Sequence, residues 1–377
     1  MRSFSTTVYA NRIQQAQRLC ESKKLDGVII GTGAQLAYLT GSWASTHERL
    51  TALVIPATGA PRFILPQVDR ASLTHSPLGS LDLDFYGWVD GDNPYEIAAA
   101  AFVGKHDVTI GVGSDLSAHH LLTLQALLPG ATFALATSVL AEMFVAKDPA
   151  EIAELERAGK AIDRVHAQVP ALLQAGRTER EVAADIERLI LSEHELVDFI
   201  IVGSQANGAN PHHDYSDRVL ETGDMVVVDI GGSLDTGYHS DCTRTYCVGG
   251  PNALAGNPHA ALAKDLYDVL FEAQQAAVDA VRPGARAEDI DRAAREIIQR
   301  AGYGDDFIHR TGHGIGLSTH EEPFIIEGNA LVLEEGMAFS VEPGIYIEGK
   351  VGARIEDIVV VTATGCRQLN NQPRNLL

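Results

Sequence analysis

Long apolar runs are missing from this chain of 377 residues. The longest, such as Met225–Val228 and Ile358–Val361, fall far short of the roughly 18 residues that a membrane-spanning helix needs, so no membrane partner is expected. Cysteine is scarce. Cys20, Cys242, Cys247 and Cys366 are scattered without a Cys-x-x-Cys pair, which excludes a disulfide framework and suits a reducing compartment. Positive charge is short as well: 29 Lys and Arg stand against 50 Asp and Glu, a formal charge of −21, the wrong sign for binding a nucleic-acid backbone. Residues 1–7 show no apolar signal core, and the expected location is cytoplasmic. What remains is ordinary globular composition, 45% hydrophobic and 21% charged, in a length that suits about two domains.

The first 140 residues alternate helix-like and strand-like segments. A helical pattern over Val8–Ser22 leads into an apolar strand, Gly27–Gly31, and further strands are predicted over Leu50–Ile55 and Thr109–Gly113. This α/β domain holds His47, His75, His106, His119 and His120, none at ligand spacing from a partner, and they read as surface or packing residues. Near residue 145 the texture changes. Asp148 followed by Pro149 starts a long amphipathic segment predicted to reach Leu173, and Thr178 with Glu181 carries a capping-box signature. The Arg282-Pro283-Gly284 break separates helices over Ala260–Ala280 and Ala287–Ala301. We therefore divide the chain into domains 1–144 and 145–377. Helix pair followed by strands, twice over, suggests a duplicated half-domain in the second.

Five residues of that second domain sit in apolar or Gly-rich sequence, where an unpaired charge is costly. Asp229 ends the run Met225–Val228, and Asp241 lies in Ser240-Asp241-Cys242-Thr243-Arg244. The midpoint between them is Asp235, in a turn-prone stretch, so a symmetric hairpin would set the two carboxylates opposite each other, about 5 Å apart at Cβ. The same arithmetic recurs for Glu342 and Glu356, with the midpoint at Gly349, although Pro343 would interrupt a ladder there. His313 lies between glycines in Gly312-His313-Gly314. Four carboxylates and one imidazole describe a site for two divalent cations, with the hard oxygens favouring Mn2+ over Zn2+, Co2+ or Fe2+.

These five motifs, Val-Asp-Ile-Gly-Gly, Ser-Asp-Cys-Thr-Arg-Thr, Gly-His-Gly-Ile-Gly-Leu, Val-Glu-Pro-Gly-Ile-Tyr and Arg-Ile-Glu-Asp, resemble those of the pita-bread metallopeptidases, nearest to prolidase (Xaa-Pro dipeptidase) and aminopeptidase P. The resemblance covers most of residues 145–370. It implies an α/β N-terminal domain, followed by an α+β pita-bread catalytic domain. Asp229 would then chelate one metal, Asp241 and Glu356 would bridge both, and His313 with Glu342 would hold the other. It also implies that His212, His309, His320, Arg354 and Tyr238 surround the substrate, His212 being preferred to its neighbour His213. The implied reaction is hydrolysis of the Xaa-Pro bond of dipeptides or short peptides by a metal-bridging hydroxide. In it, Glu342 shuttles the proton, His309 or His320 stabilises the oxyanion, and Arg354 receives the terminal carboxylate. The N-terminal domain would serve a homodimer. The other readings are an aminopeptidase P acting on longer peptides, a metal-free creatinase-like hydrolase and a non-catalytic peptide-binding module.

Overall fold

The computed structural model describes residues 3–104 and 107–376; His106 lies outside them. The chain separates into two compact units, Met1–Phe144 and Val145–Leu377. In the first, helices α1 (Thr6–Ser22), α2 (Ala34–Thr40), α3 (Pro94–Ala99), α4 (Ala118–Leu127) and α5 (Thr137–Phe144) accompany one six-stranded sheet. Its strands β1 (Gly27–Ile30), β2 (Ala52–Pro56), β3 (Arg62–Pro66), β4 (Asp84–Trp88), β5 (Thr109–Val112) and β6 (Thr132–Leu135) lie in the order β4-β3-β2-β1-β5-β6. β1 is antiparallel to β2 and parallel to β5, a mixed sheet. Ile29, Val54, Ile64, Phe102 and Ile110 form part of its core. The histidines read as packing or surface groups are so placed: His120 is buried beside the Tyr95 hydroxyl, while His47, His75 and His119 are exposed.

The second unit is built of α6 (Pro149–His166), α7 (Val169–Leu172), α8 (Glu179–Glu193), α9 (Ala260–Ala280) and α10 (Ala287–Arg300), with strands in three antiparallel groups. Asp148 caps α6, accepting from the backbone of Ala150 and Glu151 while Glu151 reaches back, so the capping signal works as expected. Its helix is shorter than predicted. The pattern to Leu173 breaks after His166 into the separate turn α7, since Pro170 cannot donate to a continuous helix. Thr178 and Glu181 form a second capping box ahead of α8.

The first strand group is β7 (Leu196–Ser204), β8 (Met225–Ser233) and β9 (His239–Cys247) in that order. Alternation along β8 divides its residues between two surfaces: Val226, Val228 and Ile230 pack with Ile162, Val165, Ile186 and Ile190 of α6 and α8, leaving Asp229 on the far side. Burying each such aliphatic side chain contributes about 1.5–3 kcal/mol. That core fixes which way Asp229 points.

The second half places α9 and α10 beside β10 (Gly312–Gly314), β11 (Glu321–Ile325), β12 (Ala338–Val341), β15 (Asp357–Val361) and β16 (Cys366–Gln368), ordered β11-β10-β12-β15-β16. The hairpin β13 (Gly344–Ile347) and β14 (Val351–Arg354) completes it. Each half thus has a helix pair and antiparallel strands, the duplicated α+β pattern expected.

Candidate active site and metal centre

The first hairpin differs from the symmetric one predicted. Asp229 faces Thr243, and Asp241 faces Gly231, because the turn closes with Leu234 and Tyr238 bonded to each other rather than about Asp235. The shift is two residues, so parity is kept. Asp229, Asp241 and Thr243 still share the side of the sheet away from the helices, with the two aspartates diagonal rather than opposite. Asp229 also lies within β8, not at its end.

The second hairpin has the expected register, and Pro343 splits it. Gly344 pairs with Arg354 in β13–β14, and Val341 pairs with Asp357 in β12–β15, both consistent with a centre at Gly349. Glu342 and Glu356 fall at the break between the two ladders. Their amides are taken by other segments: Glu342 donates to Thr311 O at 2.8 Å and Glu356 to Thr243 O at 3.1 Å.

His313 reaches the same place from β10. A Cβ on Gly312 would run into the Ser340 carbonyl and one on Gly314 into Glu322, so both neighbours must be glycine for β10 to lie this close to its partners. Nδ1 of His313 donates to Gly314 O at 3.1 Å, and Nε2 lies 3.0 Å from Glu342 Oε1 and 3.7 Å from Asp241 Oδ2, donating to Glu342 when no metal is bound and offering a lone pair once that proton is displaced.

Ligand atoms of Asp229, Asp241 and Glu356 lie within 4.8 Å of one another, as do those of His313, Glu342 and Glu356, and of Asp241, His313 and His320. The electrostatics call for cations. Burial first, then the Asp229 charge, pushes the Asp241 carboxyl above the usual range, and burial with Asp241 and Glu342 does the same to Glu356. Burial acts the same way on Glu342, but the hydrogen bond and charge of His313 outweigh it and hold that carboxyl low. One oxygen each of Asp229 (Oδ1) and Glu356 (Oε1) is buried without a hydrogen-bond partner among the described residues. A buried anionic oxygen with no donor is costly, and a divalent cation is the partner that fits this donor set.

Around these residues opens a cavity of about 1420 Å³. His212, His309, His320 and Arg354 line it; Tyr238 does not. Tyr238 is buried, and its hydroxyl donates to Glu151 of α6 at 2.8 Å, away from the cavity lining. His212 lines the cavity, while His213 Nε2 is bonded to Glu179 at 3.0 Å. His320 makes no hydrogen bond among the described residues, and its ring lies 4.0 Å from that of His313. Burial, followed by the His313 charge, lowers its pKa to about 4. His309 is committed on both nitrogens, to Arg310 O at 2.7 Å and to the Tyr346 hydroxyl at 2.8 Å.

Arg354 is committed too. Nη2 donates to Asp229 Oδ2 at 2.6 Å and to Pro211 O, Nη1 to the Tyr346 hydroxyl at 2.7 Å, and Nε to Thr243 Oγ1. That leaves one N–H free among the described residues, too few for the bidentate grip expected of a carboxylate receiver. Arg310 is in the opposite state. It lines the cavity with its guanidinium 4.5 Å from the Phe324 ring and makes no ion pair among the described residues.

Several contributors went unnamed in the sequence reading. Thr243 donates to Glu356 Oε2 at 2.9 Å, and Tyr346 joins Arg354 to His309. Both follow the period of two from residues already singled out: Asp241 to Thr243, and Glu342 through Gly344 to Tyr346. Asp198 lines the cavity for a reason sequence could not supply, because a bulge between Val197 and Phe199 interrupts the alternation of β7.

Residues 153–363 match metallopeptidase family M24, and residues 12–143 match the Creatinase/Prolidase N-terminal domain. A crystal structure of dipeptidase PepE from Mycobacterium ulcerans superposes with a TM-score of 0.94 at 51% identity, covering 100% of this chain and 99% of that one. A prolidase from Thermococcus sibiricus gives a TM-score of 0.88 at 35% identity, covering 98% of each. The Xaa-Pro dipeptidase of Lactobacillus helveticus is 34% identical over 372 residues, 97% of this chain and 98% of the relative. The chain belongs to metallopeptidase family M24.

Proposed function

We propose that this protein is an Xaa-Pro dipeptidase whose two divalent cations are held by Asp229, Asp241, His313, Glu342 and Glu356. The observation that carries the reading is the meeting of these five side chains with unpartnered buried oxygens on Asp229 and Glu356. Prolidase and Xaa-Pro dipeptidase relatives along nearly the whole chain support the substrate class. When bound, the cations supply Lewis acidity, lowering the pKa of water and polarising the scissile carbonyl.

The protein's own groups do the rest. The Glu342 carboxylate accepts a proton and returns it to the leaving nitrogen, which in a proline bears no hydrogen of its own. His320, neutral at pH 7, donates to the oxygen that becomes negative, and His212 contacts substrate from the facing loop. His309 orients the Tyr346 hydroxyl. Arg310 takes the terminal carboxylate in place of Arg354, which instead holds Asp229. Catalysis belongs to domain 145–377, with domain 1–144 serving a homodimer. Mn2+ suits four carboxylates and one imidazole, and the cytoplasm suits the charge of −21 and four free cysteines.

The test is hydrolysis of Ala-Pro, Ala-Pro-Ala and Ala-Ala by metal-stripped protein, with and without added Mn2+. Metal-dependent cleavage confined to Ala-Pro is expected. Preference for Ala-Pro-Ala would move the assignment to an aminopeptidase P, and no metal-dependent cleavage of any would overturn the two-metal reading.

A further inference from the structure

We infer that Glu179 is a positioning residue of the active site, its buried carboxylate clamping both ends of the loop that carries His212. The inference rests on the reading of His212 as a substrate-contacting group. The imidazole of His212 makes no hydrogen bond among the described residues, and the hydrogen bond of this residue is a backbone one, from its amide to Asn210 Oδ1 at 3.2 Å. Its place in the cavity is therefore set by the course of the loop.

Both ends of that loop are held from one point. Glu179 is the first residue of α8 and is fully buried. Oε1 takes the departing end of the loop, accepting from Ser204 N at 2.7 Å, Ser204 Oγ at 2.5 Å and Asn207 Nδ2 at 3.0 Å. Oε2 takes the returning end, accepting from His213 Nε2 at 3.0 Å, Ser216 N at 2.9 Å and Ser216 Oγ at 2.6 Å. Between the two clamps lie Asn210, Pro211 and His212, all lining the cavity, and Pro211 O also accepts from Arg354. The departing end is held against strain as well: Gln205 has φ of 51°, a left-handed conformation that a non-glycine residue adopts only when its surroundings impose it.

The chemistry requires a carboxylate of this length. Burial alone would raise its pKa, but the hydrogen bonds from Ser204, Ser216 and His213 outweigh burial and bring it to about 2, so it stays an acceptor on both oxygens. Glutamine would turn an NH2 group toward backbone and side-chain donors, and aspartate is one methylene too short to reach both ends.

The experiment is a double-mutant cycle on metal-loaded protein with Ala-Pro as substrate, comparing Glu179→Gln, His212→Ala and the pair, with Ser216→Ala as the milder variant should Glu179→Gln fail to fold. About a tenfold loss of kcat/KM is expected for Glu179→Gln and somewhat less for Ser216→Ala. In the His212→Ala background neither adds more than about twofold, because the imidazole they position is gone. Mn2+ affinity measured by calorimetry stays within about twofold, and hydrogen exchange quickens over residues 204–216 alone. Losses that multiply in the double variant, or Mn2+ affinity falling in step with activity, would overturn the inference. If His212→Ala by itself leaves kcat/KM unchanged, the reading of His212 fails and the inference falls with it, while metal-dependent cleavage of Ala-Pro still stands.

Discussion

The two hairpins that present the carboxylates solve the same problem differently. In β8–β9 the ladder is continuous, and Asp229 and Asp241 reach the site because alternation puts them on the side away from α6 and α8. In the second, the ladder is broken at Pro343, and Glu342 and Glu356 sit in the gap with their amides bonded to Thr311 and Thr243. A continuous ladder makes a carboxylate's direction insensitive to register shifts of two, because side chains repeat on the same face every second residue. A broken ladder makes placement depend on neighbouring segments. The first arrangement is robust, and the second is the one a single substitution can upset.

The largest break in this comparison comes from Glu356, where both hairpins meet. Glu356→Gln should lower metal-dependent kcat/KM by about 10³-fold or more, as removal of an essential metal ligand does. It should also raise the melting temperature of the metal-stripped protein at pH 7. The sign follows from the raised pKa values of Glu356 and Asp241: crowded carboxylates disfavour the folded state above the folded pKa, and this cost vanishes below the unfolded value near 4. The advantage of the stripped variant over stripped wild type should therefore shrink as pH falls from 8 to 5, while the lowered pKa values of His166, His194 and His320 weigh on both proteins alike. Thermal melts across that range with and without metal check both statements.

Pro343→Ala comes next. A restored N–H lets the ladder close through the gap and draws Glu342 out of place, so kcat/KM should drop about tenfold with the melting temperature little changed. Thr243→Val removes the hydroxyl that donates to Glu356 and accepts from Arg354, one of several links between the two hairpins. A cost of about 1–2 kcal/mol is expected, read as a drop in kcat/KM of roughly tenfold or less and a lower melting temperature. The smallest effect belongs to Tyr238→Phe. Its hydroxyl bonds Glu151, so stability should fall by about 1 kcal/mol in urea unfolding while kcat/KM is unchanged. A large fall in kcat/KM would return Tyr238 to the substrate pocket.

Much of the fold was legible where local chemistry speaks alone. Asp148-Pro149 and Thr178 with Glu181 start helices wherever the chain goes, since a cap needs only its own first turn. The five candidate metal ligands stand out because charge embedded in apolar or glycine-rich sequence needs a partner. Thr243 and Tyr346 lie on the same faces as Asp241 and Glu342 by the period of two, so their places too are legible in the sequence. The first hairpin's register is not legible locally, because turn-prone residues fill Gly231–Gly237 and the closing pair is chosen by the strands' packing.

What the sequence determined by itself is the chemistry available: four carboxylates and a histidine in apolar or glycine-rich contexts, capped helices, and no apolar run long enough for a membrane-crossing helix. What only the tertiary structure decided is which groups are free to use. Arg354, Tyr238 and His309 are spent on Asp229, Glu151 and Tyr346, while Arg310, His212 and His320 are left facing the cavity. The physical reason is that a residue type fixes how many hydrogen bonds a group can make, whereas the partners that consume them come from segments distant in the chain.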